Sequence, residues 1–180
     1  MNTESPEQSS DTTDYIEELR RQLHEASHQR ALLTHAFLRQ LTPVLGRETS
    51  IELLRQGAYQ VGQGNAASFI AASGGSPLTP EQAIRIFQRI GPDRGRMFPI
   101  EYECQADGSC ELLTLACPLK DAALAHGLDQ RDFEALVLIL DGVTHGALEG
   151  LGLSASTTLP RLDSPGCCRL RITPASVSSG

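Results

Sequence analysis

The stretch that decides the fold is residues 100–120, with the sequence IEYECQADGSCELLTLACPLK. From Ile100 to Cys104 an apolar side chain alternates with glutamate, the pattern of a half-buried strand. Residues 106–109 are typical of a turn, and residues 110–117 predict the returning strand of a hairpin. The stretch therefore indicates an antiparallel sheet.

The hairpin register remains open. If Gln105 pairs with Cys110, then Cys104 and Cys110 point to opposite faces, whereas a five-residue loop puts them together. The spacing from Cys104 to Cys110 to Cys117 matches neither the paired cysteines of zinc sites nor the usual ferredoxin spacings. Since the polar, acidic residues 1–13 are no signal peptide, all five cysteines are expected to be reduced thiols or metal ligands rather than disulfides.

C-terminal to the hairpin, Pro118 predicts a short helix that stops at Gly127. A longer helix follows from its cap at Asp129 to Glu149. Residues 154–159 and 167–173 then predict a second hairpin around a turn.

N-terminal to it, hydrophobic periodicity predicts helices over 14–45 and 50–72. A third begins at Thr79, where Gln82 completes a capping box, and ends at Gly91-Pro92. The fold class is α+β, with N-terminal helices packed on an antiparallel sheet made of two hairpins with a helical insertion. Residues 14–173 form one domain, and residues 1–13 and 174–180 are expected to be disordered tails.

Two features of these helices suggest how they pack. Gly57, Gly62 and Gly64 weaken the second helix, and close contact with a neighbouring helix is the preferred interpretation over room for a ligand. In the first helix, one apolar stripe is expected to face the core. Its members are Ile16, Leu19, Leu23, Ala26, Leu33 and Phe37.

The string His24-Glu25-Ala26-Ser27-His28 matches the H-E-x-x-H motif of zinc proteases. The apolar stripe argues against this interpretation, because His24, His28 and His35 lie on the opposite side of the helix. We therefore expect His24 and His28 to be exposed and unimportant to activity.

Charge and hydropathy exclude two classes of partner. The net charge is −7 with scattered arginines and one lysine, which argues against nucleic acid. The longest apolar run, residues 136–140, is too short for a membrane span. A cytoplasmic protein is expected, with a small-molecule ligand or substrate and, as an open alternative, a second copy of the chain.

Cys117 is the main candidate nucleophile. It directly precedes Pro118, which places it near the N-cap of a helix whose free N–H groups lower a thiol pKa. Lys120 in the first turn would add positive potential. The alternative is a cysteine that packs as a small apolar side chain.

The last strand supplies candidate binding residues. Because strand side chains alternate, Cys168 and its apolar neighbours should face the core. Cys167, Arg169 and Arg171 share the other face, where the arginines suit a carboxylate ligand. An ordinary solvated strand face is the alternative.

Asp141 lies within an otherwise apolar helical run, where a carboxylate is costly without a partner. His145, one turn later, is the natural partner. The pair is either structural or, near a thiolate, part of a Cys-His arrangement.

The chain resembles the L-2-amino-thiazoline-4-carboxylic acid hydrolase family over residues 30–173. The motifs that carry the resemblance are Cys117-Pro118-Leu119-Lys120-Asp121, Gly127-Leu128, Asp141, Glu149-Gly150 and Gly166-Cys167-Cys168-Arg169-Leu170. The terminal cysteine-containing strand is also similar to that of small-molecule-binding domains related to vinyl reductases.

The resemblance implies a hydrolase that opens a cyclic amidine without a cofactor. Cys117 would be the nucleophile, and His145 a general base oriented by Asp141. Arg169 or Arg171 would anchor the substrate carboxylate, next to Cys167. The rival is a non-enzymatic sensor or binding domain that holds a metal, an iron–sulfur cluster or a small ligand through the same cysteines, Cys117 and Cys167.

Overall fold

The computed structural model describes residues 6–74 and 78–174. Three helices come first, then a hairpin, two more helices and a second hairpin, as the sequence predicts. The helices are α1 (Pro6–Leu45), α2 (Arg47–Ser73), α3 (Pro80–Ile90), α4 (Pro118–Ala125) and α5 (Gln130–Gly150). The strands are β1 (Ile100–Cys104), β2 (Cys110–Thr114), β3 (Leu153–Thr158) and β4 (Arg169–Pro174), and a short 3-10 helix spans Pro92–Gly95.

The two hairpins join in one antiparallel sheet in the order β1-β2-β4-β3. In its centre, Leu112 lies opposite Leu170 and Cys110 lies opposite Ile172, and all four are buried towards the helices. This arrangement confirms the predicted α+β class and the sheet made of two hairpins.

The predicted capping signals are confirmed. Thr79 and Gln82 form a complete capping box at the start of α3. The Asp129 side chain accepts a hydrogen bond from the backbone of Asp132 at the start of α5. Cys117 occupies the N-cap position of α4, with an extended backbone.

Both ends of the domain differ from prediction. Helix α1 begins at Pro6, whereas the domain was predicted to begin at residue 14. Adding residues to a nucleated helix costs little, and proline followed by glutamate suits a helix start. Pro174 belongs to β4, while residues 1–5 and 175–180 lie outside the described residues.

Helix α1 packs on a different face from the predicted one. Ala31 and Leu38 are buried, whereas Leu19, Leu33 and Phe37 of the apolar stripe are 44%, 56% and 52% exposed. Helix α4 and the Met97 region lie against the histidine side, where Ser27 donates a hydrogen bond to Met97. The expected solvated histidine face is therefore wrong, because other elements cover it.

Helices α2 and α5 cross at very close range. A Cβ on Gly62 would lie 2.1 Å from the carbonyl oxygen of Val143, and one on Gly146 would lie 2.1 Å from that of Tyr59. The close-packing interpretation is thus confirmed for Gly62. It is wrong for Gly57 and Gly64, where an added Cβ would meet nothing within 4 Å.

Candidate functional site

A cavity of about 330 Å³ lies between the helices and the inner face of the sheet. This volume is at the lower end of the range for small-molecule sites. Its wall is mainly apolar and comes from α3, the sheet and α5. Representative wall residues are Ile84, Phe87, Leu112, Leu170, Ile172, Ala147 and Leu148.

A few polar groups interrupt this apolar wall. Cys117 and Cys168 contribute thiols, and Asp141 contributes a carboxylate. Arg30 of α1 also lines the cavity and is exposed, which places a cation on its solvent side. An apolar chamber with few polar groups is the usual form of a ligand pocket.

Three free thiols meet beside the cavity. Cys117 and Cys167 are both buried and belong to one apolar cluster with Phe133 and Val137. Cys117 interacts with Cys167, and the Cys167 and Cys168 sulfurs are 3.5 Å apart. Cys168 rather than Cys167 lines the cavity beside Cys117.

Cys117 and Cys167 are held in their neutral form. The hydrogen bond with Cys167 and burial raise the pKa of Cys117 far above its ordinary value, and backbone N–H groups of α4 offset this only in part. The Cys117 contact lowers the pKa of Cys167, but the Cys168 contact and burial outweigh it and raise that pKa to about 12. The predicted lowering of the Cys117 pKa is therefore wrong, since the interaction with Cys167 and desolvation together outweigh the helix N-terminus.

Lys120 has a different task from the one expected. It is only 8% exposed, and its ammonium group donates to the backbone oxygens of Arg161, Ser164 and Gly166, the first and last at 3.0 and 2.8 Å. These three bonds hold the loop before Cys167 against α4. Through this loop, Lys120 helps to position the thiol cluster.

Asp141 is partly buried and partnered, as expected. Its carboxylate lies 2.9 Å from His145 Nε2 and accepts a hydrogen bond from the hydroxyl of Thr157 in β3. The same His145 nitrogen is 3.0 Å from that hydroxyl. Within the described residues no hydrogen bond links His145 to Cys117, so the catalytic set inferred from the resemblance is not assembled as one hydrogen-bonded group.

Arg169 and Arg171 lie on the outer face of the sheet, away from the cavity. They line a shallow groove of about 550 Å³ with Glu101, Glu103 and Glu111. Arg171 lies opposite Glu111 in the ladder and 3.5 Å from Asp107. The predicted alternation of side chains along β4 is confirmed. Cys167, however, lies before the start of β4 and outside its register. Both arginines are therefore separated from Cys117.

A disulfide joins Cys104 to Cys110, whose Cα atoms are 4.0 Å apart. The two residues form the last pair of the β1–β2 ladder, so the hairpin has the five-residue loop. The expectation that all five cysteines are reduced or metal-bound is wrong for this pair, because direct cross-strand neighbours lie within bonding reach. The cysteine content therefore does not assign the compartment.

Sequence reasoning missed Thr157 and Arg30 as site residues. Thr157 sits at an inward position of β3, where the period-two alternation gives a signal. Arg30 is a cation at a position that continues the apolar stripe of α1. A charged residue in such a stripe is a signal that the sequence offers.

No family model and no curated protein matches this chain. Among solved structures it is similar to a trafficking protein particle complex subunit 3 from Naegleria fowleri, described as covalently bound to palmitic acid. The TM-score is 0.59 at 15% sequence identity, over 82% of this chain and 94% of that chain. At this identity the likeness shows the fold alone. None of the helices in the described ranges is long and apolar enough to cross a membrane.

Proposed function

We propose that this chain is a binding domain that holds an apolar small molecule of the fatty-acyl class between its helices and its sheet. The observation that carries the proposal is the apolar cavity, with Cys117 and Cys168 in its wall. The sequence suggested, as the rival to a hydrolase, a binding domain for a metal, an iron–sulfur cluster or a small ligand, and this proposal selects the small ligand. An iron–sulfur cluster fits less well, because three thiols fall short of the usual four thiolates.

Two further observations support an acyl ligand. The structural neighbour is described as covalently bound to palmitic acid, and this chain has a similar fold with an apolar cavity inside it. Arg30 offers a cation at the solvent side for a carboxylate head group. Since the Cys117 thiol stays protonated at neutral pH, we expect a non-covalent complex rather than a thioester.

Filling the cavity should weaken binding without unfolding the protein. Thr144→Phe projects a ring into the cavity, and we expect it to weaken binding of hexadecanoic acid by about tenfold or more, equivalent to about 1.4 kcal/mol. The measurement is isothermal titration of the purified full chain with the free acid.

Leu138→Phe is the matched control, since Leu138 is on the same helix, 37% exposed and outside the cavity wall. It should bind like the wild type. Equal affinity in the two variants, or no binding by the wild type, would contradict the proposal. Arg30→Gln tests the contribution of the head group. It should weaken binding of the free acid but not binding of its methyl ester.

The cyclic-amidine hydrolase remains a second candidate, favoured by one observation. Asp141, paired with His145, lines the same cavity as Cys117. In this reaction water adds to the ring carbon between nitrogen and sulfur, the carbon–sulfur bond breaks, and the sulfur leaves as the thiol of an N-carbamoyl-cysteine. Appearance of that thiol, lost in His145→Gln while acid binding persists, would establish the hydrolase.

The proposed protein partner is a second copy of the chain. The apolar stripe of α1 repeats at spacings of 3, 4, 3, 7 and 4, which is typical of the seam of a coiled coil. A self-complementary seam explains why large apolar side chains remain exposed. Its large apolar members are Ile16, Leu19, Leu23, Leu33 and Phe37.

We expect the double variant Leu19→Glu, Leu33→Glu to be monomeric, whereas the wild type is a dimer by light scattering after size exclusion. Glutamates in the seam place like charges in the interface. Arg39→Glu, on the same helix but off the seam, should remain a dimer. A monomeric wild type at its highest soluble concentration would refute this partner.

A further inference from the structure

Two imidazoles and a carboxylate converge where α1 meets α4. His24 and His28, one turn apart on α1, and Asp121 of α4 each offer one ligand atom, and these atoms all lie within 4.8 Å of one another. His24 Nε2 is 3.8 Å from Asp121 Oδ2, and the two imidazole centroids are 4.6 Å apart. The site joins α1 to α4, and His24 and Asp121 are 97 positions apart in the sequence.

A second observation concerns the ring of His28 itself. Nε2 of His28 is buried and has no hydrogen-bond partner within the described residues. A buried ring nitrogen without a partner costs free energy, and such groups need an explanation. A cation between the two helices would provide the partner.

From this geometry we propose that His24, His28 and Asp121 form a binding site for a divalent transition-metal ion of the Zn²⁺ class. Two imidazoles and one carboxylate are borderline ligands that suit Zn²⁺, with water completing a tetrahedron. Metal–ligand bonds of about 2.0–2.1 Å require ligand atoms roughly 3.3 Å apart. The 45% exposed His24 and the 54% exposed Asp121 side chains are free to close the remaining gap.

The site is not that of a zinc protease. Glu25, which would be the general base of the H-E-x-x-H motif, is exposed and accepts a 2.7 Å hydrogen bond from Gln29. The third ligand comes from α4, the helix that begins next to Cys117. The metal would therefore act as a clamp that fixes α4, and with it the thiol wall of the cavity, onto α1.

The test is a Zn²⁺ titration of the full chain under reducing conditions, in competition with a chromophoric chelator. We expect one ion per chain, and an affinity lower by about tenfold or more in each of His24→Gln, His28→Gln and Asp121→Asn. Glu25→Gln is the matched control within the same motif and should bind like the wild type. Zn²⁺ should also raise the unfolding midpoint of the wild type but not of His28→Gln.

Co²⁺ absorption distinguishes this site from the cysteines and needs no variant. A spectrum without thiolate-to-metal charge transfer supports the histidine site, while strong charge transfer assigns the metal to the thiols and overturns the proposal. Unchanged Zn²⁺ affinity in both His28→Gln and Asp121→Asn also overturns it, as does a wild type that binds no Zn²⁺. None of these readouts depends on acyl binding, so the metal site and the proposed function stand or fall separately.

Discussion

Lys120→Met should lower the free energy of unfolding by about 2–4 kcal/mol, because it leaves three partly buried backbone acceptors without their donor. The ammonium group of Lys120 serves three carbonyl oxygens of the loop formed by residues 161–166. Methionine keeps the length and apolar stem of the side chain but removes all three bonds. Urea denaturation of the two proteins measures the difference.

The loop should respond more strongly than the rest of the molecule. Hydrogen exchange of residues 161–166 should accelerate, and Cys167 should react faster with thiol reagents, since this loop leads directly into it. Arg39→Met is the control, because it removes an exposed cation from α1 and should change stability by less than about 0.5 kcal/mol. Equal stability of Lys120→Met and wild type would show that water replaces the ammonium group.

Features governed by neighbours in sequence were predictable. The capping box at Thr79, the cap at Asp129 and the N-cap position of Cys117 depend on a few adjacent residues, and the structure has all three. The strand alternation that places Leu170 and Ile172 inward is equally local.

The burial of α1 was not predictable from its own pattern. The stripe with Leu19 and Phe37 has the period of a helix face, but periodicity does not say whether the core or another chain covers that face. Ala31 and Leu38 are buried instead because α4 and α5 contact the other side. For the same reason His28, which the pattern assigns to a solvated face, has a buried ring nitrogen.

Only the part of the candidate site that depends on neighbours in sequence was predictable. Asp141 and His145 are one turn apart on one helix, so their pairing was accessible from sequence. The interaction with Cys167 and the desolvation that raise the pKa of Cys117 depend on surrounding elements, and therefore the helix N-terminus alone gave the wrong sign. The separation of Arg169 from Cys167 depends on where β4 begins, which is a boundary that sequence patterns locate poorly.

Gly146→Ala should lower the free energy of unfolding by about 3 kcal/mol, at the upper end of the usual cost of overpacking. The added Cβ would lie 2.1 Å from the Tyr59 carbonyl oxygen and 3.0 Å from the Gln63 nitrogen. Both are backbone atoms of α2, so no side-chain rotation relieves the contact and the helices must separate. Thermal and urea denaturation both measure this change.

The control is Gly64→Ala on the partner helix. Gly64 is helical, and a Cβ added to it would have no neighbouring atom within 4 Å, so alanine should raise stability by about 0.5–1 kcal/mol. If the glycine-to-alanine change lowers stability at position 146 and raises it at position 64, the loss at position 146 is caused by contact between the helices and not by helix propensity. Because Thr144 and Ala147 of α5 line the cavity, separation of the helices should also weaken acyl binding in Gly146→Ala. A stability change within about 0.5 kcal/mol of wild type would mean that the α2–α5 crossing is looser than these distances indicate.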